Sequence, residues 1–139
     1  MKKLEINSEA LERMQKHAEA TYPNECVGFF YGNENDTVRF IEQAAEVPNS
    51  KEGDQRRRFE VHPKDYMKAE RYALEHDTTL LGVYHSHPEH PAIPSEHDLK
   101  VAQPFFSYII VSVKGGKSVK VRSWQLNDKN VFEEEVIVD

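Results

Sequence analysis

Cysteine is almost missing from this 139-residue chain, where Cys26 stands alone. One thiol cannot form an intrachain disulfide, and it cannot supply the thiolates of a Cys-rich zinc site or the paired cysteines of a deaminase signature. Such usage fits a reducing compartment, so the chain is expected to be cytoplasmic. No apolar run reaches membrane-spanning length and no charged-then-apolar leader is visible, so neither a membrane span nor a signal peptide is expected. A basic surplus is missing as well: 18 Lys and Arg face 24 Asp and Glu, a formal net charge of −6. That balance argues against sequence-independent nucleic-acid binding as the main role. H-E-x-x-H, H-x-x-E-H, a G-x-S-x-G elbow and a phosphate-cradling glycine loop are all absent. So are internal repeats, low-complexity tracts and any linker long enough to divide domains.

What is present is a composition of 38% hydrophobic and 30% charged residues, suited to one globular domain over residues 1–139 with a real core. Leu4 and Ile6 alternate with charged residues as a short first strand. Ser8 reads as the N-cap of a helix to Thr21, with Leu11, Met14, Ala18 and Tyr22 at helical spacing and Pro23 as its stop. Cys26 to Tyr31 is a buried strand ended by Gly32-Asn33, and Val38 to Val47 is a second. Pro48 to Arg58 reads as an exposed loop with three consecutive arginines, followed by a short strand at Phe59 to Val61. His62-Pro63 opens a helix whose apolar face comprises Tyr66, Ala69 and Ala73 with Met67 and Leu74. Thr79 to Tyr84 is a strand leading into His85. A short helix from Ser95 to Ala102 precedes strands at Phe106 to Val113, around Val119 to Ser123, and at Val131 to Val138. Interleaved helices and strands followed by a run of strands predict an α/β domain with a mixed sheet flanked by helices.

The chemistry is concentrated between Val83 and Asp98. His85 and His87 are one residue apart, so on an extended backbone both side chains point the same way. Seven residues separate His87 from Ser95 and two more separate Ser95 from Asp98, with prolines at 88, 91 and 94 stiffening the return. Two imidazoles and a carboxylate suit Zn²⁺, and three protein ligands leave a fourth position for water. Ser95 and Asp98 also match a capping box ahead of Leu99, a role compatible with metal binding. Glu89, His90, Glu96 and His97 are rival ligands nearby. A hydrolytic zinc site needs a non-ligand general base. Glu25, at the mouth of the apolar Cys26 strand, is the best placed of the acids by context, although a charge there also simply marks a strand end. Cys26 reads as a small buried apolar residue.

Glu25, then His85-Ser86-His87, seven residues, Ser95, two residues and Asp98 together resemble the JAMM motif of MPN-domain zinc metallopeptidases. Glu25-Cys26-Val27-Gly28-Phe29 and Gly82 to Pro88 are similar to the strands that carry that motif. The resemblance implies the cytidine-deaminase-like MPN fold, with Zn²⁺ on His85, His87 and Asp98. It implies Glu25 as general base and Ser95 as the hydrogen-bond donor to the oxyanion, with Ser86 as structural support. It further implies cleavage of an amide bond after the Gly-Gly tail of a ubiquitin-like or sulfur-carrier protein, the tail lying extended along a sheet edge. The short chain resembles the compact stand-alone members that act on sulfur carriers. A non-catalytic MPN scaffold and a zinc hydrolase of small peptides are the other functions compatible with the motif. Arg56-Arg57-Arg58 is either a solvated loop or a grip on an acidic partner.

Overall fold

A computed structural model describes residues 2–138. The strands are β1 (Lys3–Ile6), β2 (Val27–Glu34), β3 (Val38–Val47), β4 (Thr79–Pro88), β5 (Ser107–Lys114), β6 (Lys117–Leu126), β7 (Phe132–Glu135) and β8 (Ile137–Val138). The helices are α1 (Ser8–Thr21), α2 (Pro63–Glu75) and α3 (Glu96–Val101). All eight strands join one mixed sheet in the order β7-β6-β5-β4-β2-β3-β1-β8. This is the expected α/β architecture of a mixed sheet flanked by helices. No described helix is long and apolar enough to cross a membrane.

Two hydrophobic clusters sandwich the sheet. Met14 and Ala18 of α1 pack with Phe30, Ile41, Tyr84 and Ile109, while Ala69 and Ala73 of α2 pack with Phe29, Val83 and Tyr108. Alternation along β2 sends Phe30 to one cluster and Val27, Phe29 and Tyr31 to the other. Gly28 is required by close approach: a Cβ there would lie 2.1 Å from the Tyr84 ring and 2.5 Å from the Ala45 carbonyl.

Several expectations change in detail. The N-cap of α1 is Asn7, not Ser8; its side chain accepts the amide hydrogens of Glu9 and Ala10. Gly32-Asn33 does not end β2, which runs on to Glu34 through an irregularity in its pairing with β3. Met67 and Leu74 of α2 are exposed, because the helix buries only the narrow stripe of Ala69 and Ala73. Phe59 is buried but lies in a loop rather than a strand. The last segment breaks at Val136, since β7 pairs with β6 while β8 pairs with β1.

β4 is the central element. In its pairing with β2, Phe30 lies opposite Gly82 and Tyr31 opposite Leu80, so Leu81 is an extra residue that resets the alternation. Beyond it, β2, β4 and β5 are each hydrogen-bonded on both sides. None of these three strands offers an open edge to an extended tail.

Candidate metal and catalytic site

His85 and His87 lie at the end of β4, buried among β2, β5 and the loop before α3. Ser86, between them, points the other way, and its hydroxyl accepts the Cys26 amide hydrogen at 2.8 Å, tying β4 to the start of β2. Asp98 stands in the first turn of α3. Its Oδ2 accepts the Ser95 amide hydrogen at 2.8 Å, and the Ser95 hydroxyl accepts the Asp98 amide hydrogen at 3.1 Å. The capping box read from the sequence therefore forms, and it aims the carboxylate inward.

The three expected ligands converge. His85 Nε2 and His87 Nε2 are 3.1 Å apart, and Asp98 Oδ2 lies 3.3 Å from the first and 3.1 Å from the second. Corners of a tetrahedron with bonds of about 2.0–2.1 Å lie about 3.3–3.4 Å apart, so the spacing suits a small tetrahedral cation. The donor set fits as well. His87 Nδ1 is 2.9 Å from the Pro91 carbonyl, which can only accept, so Nδ1 carries the hydrogen. The neutral ring then turns a bare Nε2 lone pair toward a carboxylate oxygen, an arrangement completed only by a proton or a metal. His85 Nδ1 is buried with no partner, and the Phe59 ring lies over the imidazole at a centroid distance of 4.5 Å.

Electrostatics follow from this packing. Burial opposes the charge on Asp98, yet the two imidazoles and the Ser95 amide outweigh it and hold the carboxyl well below the usual range. Burial also works against charged His87, but Asp98 and the Pro91 carbonyl prevail and raise its pKa. His85 is pushed down, chiefly by complete burial.

Glu25 and Ser95 meet His87 in one cleft of about 350 Å³, which Arg57, His90 and Ile93 also line. Glu25 is buried at 5% exposure. Burial, with the Asp98 charge adding to it and His87 and Arg58 opposing, pushes its carboxyl up to about 8. Cys26, next to it, is a buried thiol pushed up to about 12 by burial, matching a packing role.

The nearby rival ligands are engaged elsewhere or exposed. Glu89 accepts hydrogen bonds from Tyr22 Oη and the Gly115 amide, both at 2.8 Å. His90 is exposed at the cleft and is not among the three converging side chains. Glu96 is exposed on α3. His97 faces the loop before α2: Nδ1 accepts from Arg58 Nη1 at 3.2 Å and Nε2 donates to the Phe59 carbonyl at 3.1 Å.

Sequence reasoning missed the loop that holds Glu25, the candidate base. Asn49 Nδ2 donates to the carbonyls of Glu25 and Arg58, both at 3.1 Å, and its Oδ1 accepts from Lys51 N and Glu60 N. The Glu25 amide in turn donates to the Gln55 carbonyl at 2.7 Å. Both backbone groups of Glu25 are thus clamped by residues 49–55. Trp124 was also missed; its indole N–H donates to the Ala92 carbonyl at 3.0 Å and steadies the loop between His87 and Ser95. The local signal available was an Asn in a loop, which has no partner until the fold supplies one. Asn49→Ala is expected to lower kcat about tenfold with zinc content unchanged, and to cost about 1–3 kcal/mol of stability. Parallel kinetics, elemental analysis and urea unfolding check this; an unchanged kcat would remove the loop from base positioning.

Comparison with known proteins bears on the same residues. Residues 7–127 match the family model described as prokaryotic homologs of the JAB domain. A Pyrococcus furiosus protein named desampylase is 32% identical over 117 residues, covering 82% of this chain and 75% of its own length. A Mycobacterium tuberculosis protein named CysO-cysteine peptidase is 26% identical over 136 residues, covering 97% of this chain and 90% of its own. A Desulfitobacterium hafniense protein of known solution structure is 28% identical with a TM-score of 0.84, covering 97% of this chain and 91% of that one.

Proposed function

The chain belongs to the family of prokaryotic homologs of the JAB domain, and from that membership we propose that it is a zinc peptidase cleaving the amide bond after the Gly-Gly tail of a ubiquitin-like or sulfur-carrier protein. That it is a JAMM-type hydrolase follows from the family and from relatives named as peptidase and desampylase. The observation that carries the finer reading is the convergence of His85, His87 and Asp98 beside a cleft shared by Glu25 and Ser95. Residues 1–139 act as one catalytic unit in this reading, working in the reducing cytoplasm.

Bound at these three side chains, zinc would supply Lewis acidity and water ionised near neutral pH. Glu25, in the cleft beside His87, takes a proton from the attacking water and delivers it to the departing nitrogen. The water oxygen joins the carbonyl carbon, the C–N bond breaks, and a carboxylate and an amine result. The Ser95 hydroxyl already accepts from Asp98 N, which leaves its own hydrogen for the oxyanion of the tetrahedral intermediate. Glycines at the end of the tail permit close approach of backbone to a narrow cleft. With the site's strands paired on both sides, the tail lies along the loops at 49–60 and 88–95 rather than on a sheet edge.

The test is hydrolysis of a ubiquitin-like protein extended beyond Gly-Gly, followed by mass spectrometry. Cleavage directly after Gly-Gly, lost with chelator and restored by zinc, is expected. Turnover that survives complete chelation would defeat the metal assignment. Cleavage of free peptides at equal efficiency would favour a small-peptide hydrolase.

A further inference from the structure

The two histidines of the candidate metal site are oriented in different ways. A ligating imidazole is usually fixed by a hydrogen bond from its other ring nitrogen to a carbonyl or carboxylate. His87 follows that rule, with Nδ1 2.9 Å from the Pro91 carbonyl. His85 does not: its Nδ1 is buried and has no hydrogen-bond partner among the described residues. The residue is 1% exposed and its ring is held by packing. The Phe59 ring lies over it at a centroid distance of 4.5 Å and an interplanar angle of 32°.

Phe59 sits in a loop, outside any strand or helix. On either side of it, the Arg58 carbonyl and both backbone groups of Glu60 are bonded to Asn49 and Ser50 at the base of the same loop. The bond that ties Phe59 itself to another element comes from α3. His97 Nε2 donates to the Phe59 carbonyl at 3.1 Å, and the two rings meet edge-on at 6.0 Å and 84°. His97 Nδ1 accepts from Arg58 Nη1, so one neutral tautomer satisfies both contacts. His97 directly precedes Asp98 in the first turn of α3. A path of contacts therefore runs from Asp98 through His97 and Phe59 to His85, joining two candidate ligands through protein alone. An imidazole free to turn about χ2 would have to be ordered as a metal binds, and that ordering weakens binding.

We propose that His97 is a positioning residue for the metal site: by holding the Phe59 carbonyl it seats the Phe59 ring on His85 and fixes an imidazole that no hydrogen bond orients. This rests on His85 being a metal ligand, and adds the residue that sets the orientation of that ligand.

Zinc affinity, measured by competition with a chromophoric chelator, tests this. The visible absorption of the cobalt-loaded protein is the second readout, because it reports ligand geometry. His97→Ala is expected to weaken zinc binding by about 10- to 100-fold, the range for residues that support a metal ligand, and to alter the cobalt bands. His97→Gln brings an amide nitrogen near the place of Nε2 and is expected to restore most of the affinity. His97→Asn is too short to reach the Phe59 carbonyl and is expected to restore little. Phe59→Leu keeps an apolar side chain but loses the flat ring. It is expected to match His97→Ala, with the double variant no weaker than either single one. Unchanged zinc affinity in His97→Ala would overturn the proposal, as would lowered unfolding stability with affinity and cobalt bands intact. So would additive losses in the double variant, which would separate His97 from Phe59. Rescue by His97→Asn in place of His97→Gln would move the role to Arg58 and overturn it too. Zinc bound equally by wild type and variants leaves the metal assignment standing, whereas a wild-type protein that takes up no zinc defeats that assignment and this inference with it.

Discussion

Glu25→Gln is expected to cut turnover by at least about 100-fold, the lower end of what a positioned general base contributes, and to make the metal-free protein more stable at pH 8. The two effects have one cause. The carboxyl is buried and its pKa rises from 4.5 to about 8 on folding. Below pH 4.5 folded and unfolded chains both hold the proton and nothing is lost. Between these values the unfolded chain releases the proton while the folded chain keeps it, so stability falls as pH rises, and the full cost is present above pH 8. That cost is on the order of a few kcal/mol. Glutamine keeps the shape and does not titrate, so its advantage should grow steadily from pH 5 to pH 8. Urea unfolding with chelator present measures it, alongside turnover and zinc content of the loaded variant. A variant that turns over normally would remove Glu25 from the mechanism, and one with a pH-independent stability difference would show that burial does not hold the proton.

Replacing Asp98 separates the proposed metal ligation from the helix cap. The carboxylate is a candidate metal ligand and also half of the capping box on α3. Asp98→Ala removes both, and is expected to lose zinc to below a tenth of an equivalent and to cost about 1 kcal/mol from the cap. Asp98→Asn retains an amide oxygen for the Ser95 N–H but brings no charge to the two imidazoles. It is expected to lose zinc nearly as fully while the capping contribution is largely kept. Elemental analysis after dialysis and thermal unfolding of both variants give the comparison. Stoichiometric zinc in Asp98→Ala would assign the residue to the helix cap alone.

The convergence of the candidate site residues was legible in the sequence wherever chemistry and local geometry coincide. His85 and His87 share a face because a strand repeats every two residues. Ser95 and Asp98 announce a helix start that also aims a candidate ligand. Glu25 stands out as a charge at the mouth of an apolar strand. The supports were not legible, because they are pairings across long separations: Asn49 with Glu25, Trp124 with Ala92, His97 with the Phe59 carbonyl. Phe59 looked like a strand residue from its neighbours, yet its burial comes from lying against His85. The split at Val136 depends on which strands await on either side, and hydropathy alone carries no record of that.

The pairing of β1 with β8, which sets Leu4 opposite Ile137, bears on how the chain reaches this state. Two segments at far ends of the described chain must find each other, and ordering the intervening loop has to be met before the contact returns anything. The hairpins β2–β3 and β5–β6 need no such search. The β1–β8 contact is therefore expected to close late in assembly, and a chain caught before that closure would expose unpaired strand rims prone to sticking to other copies.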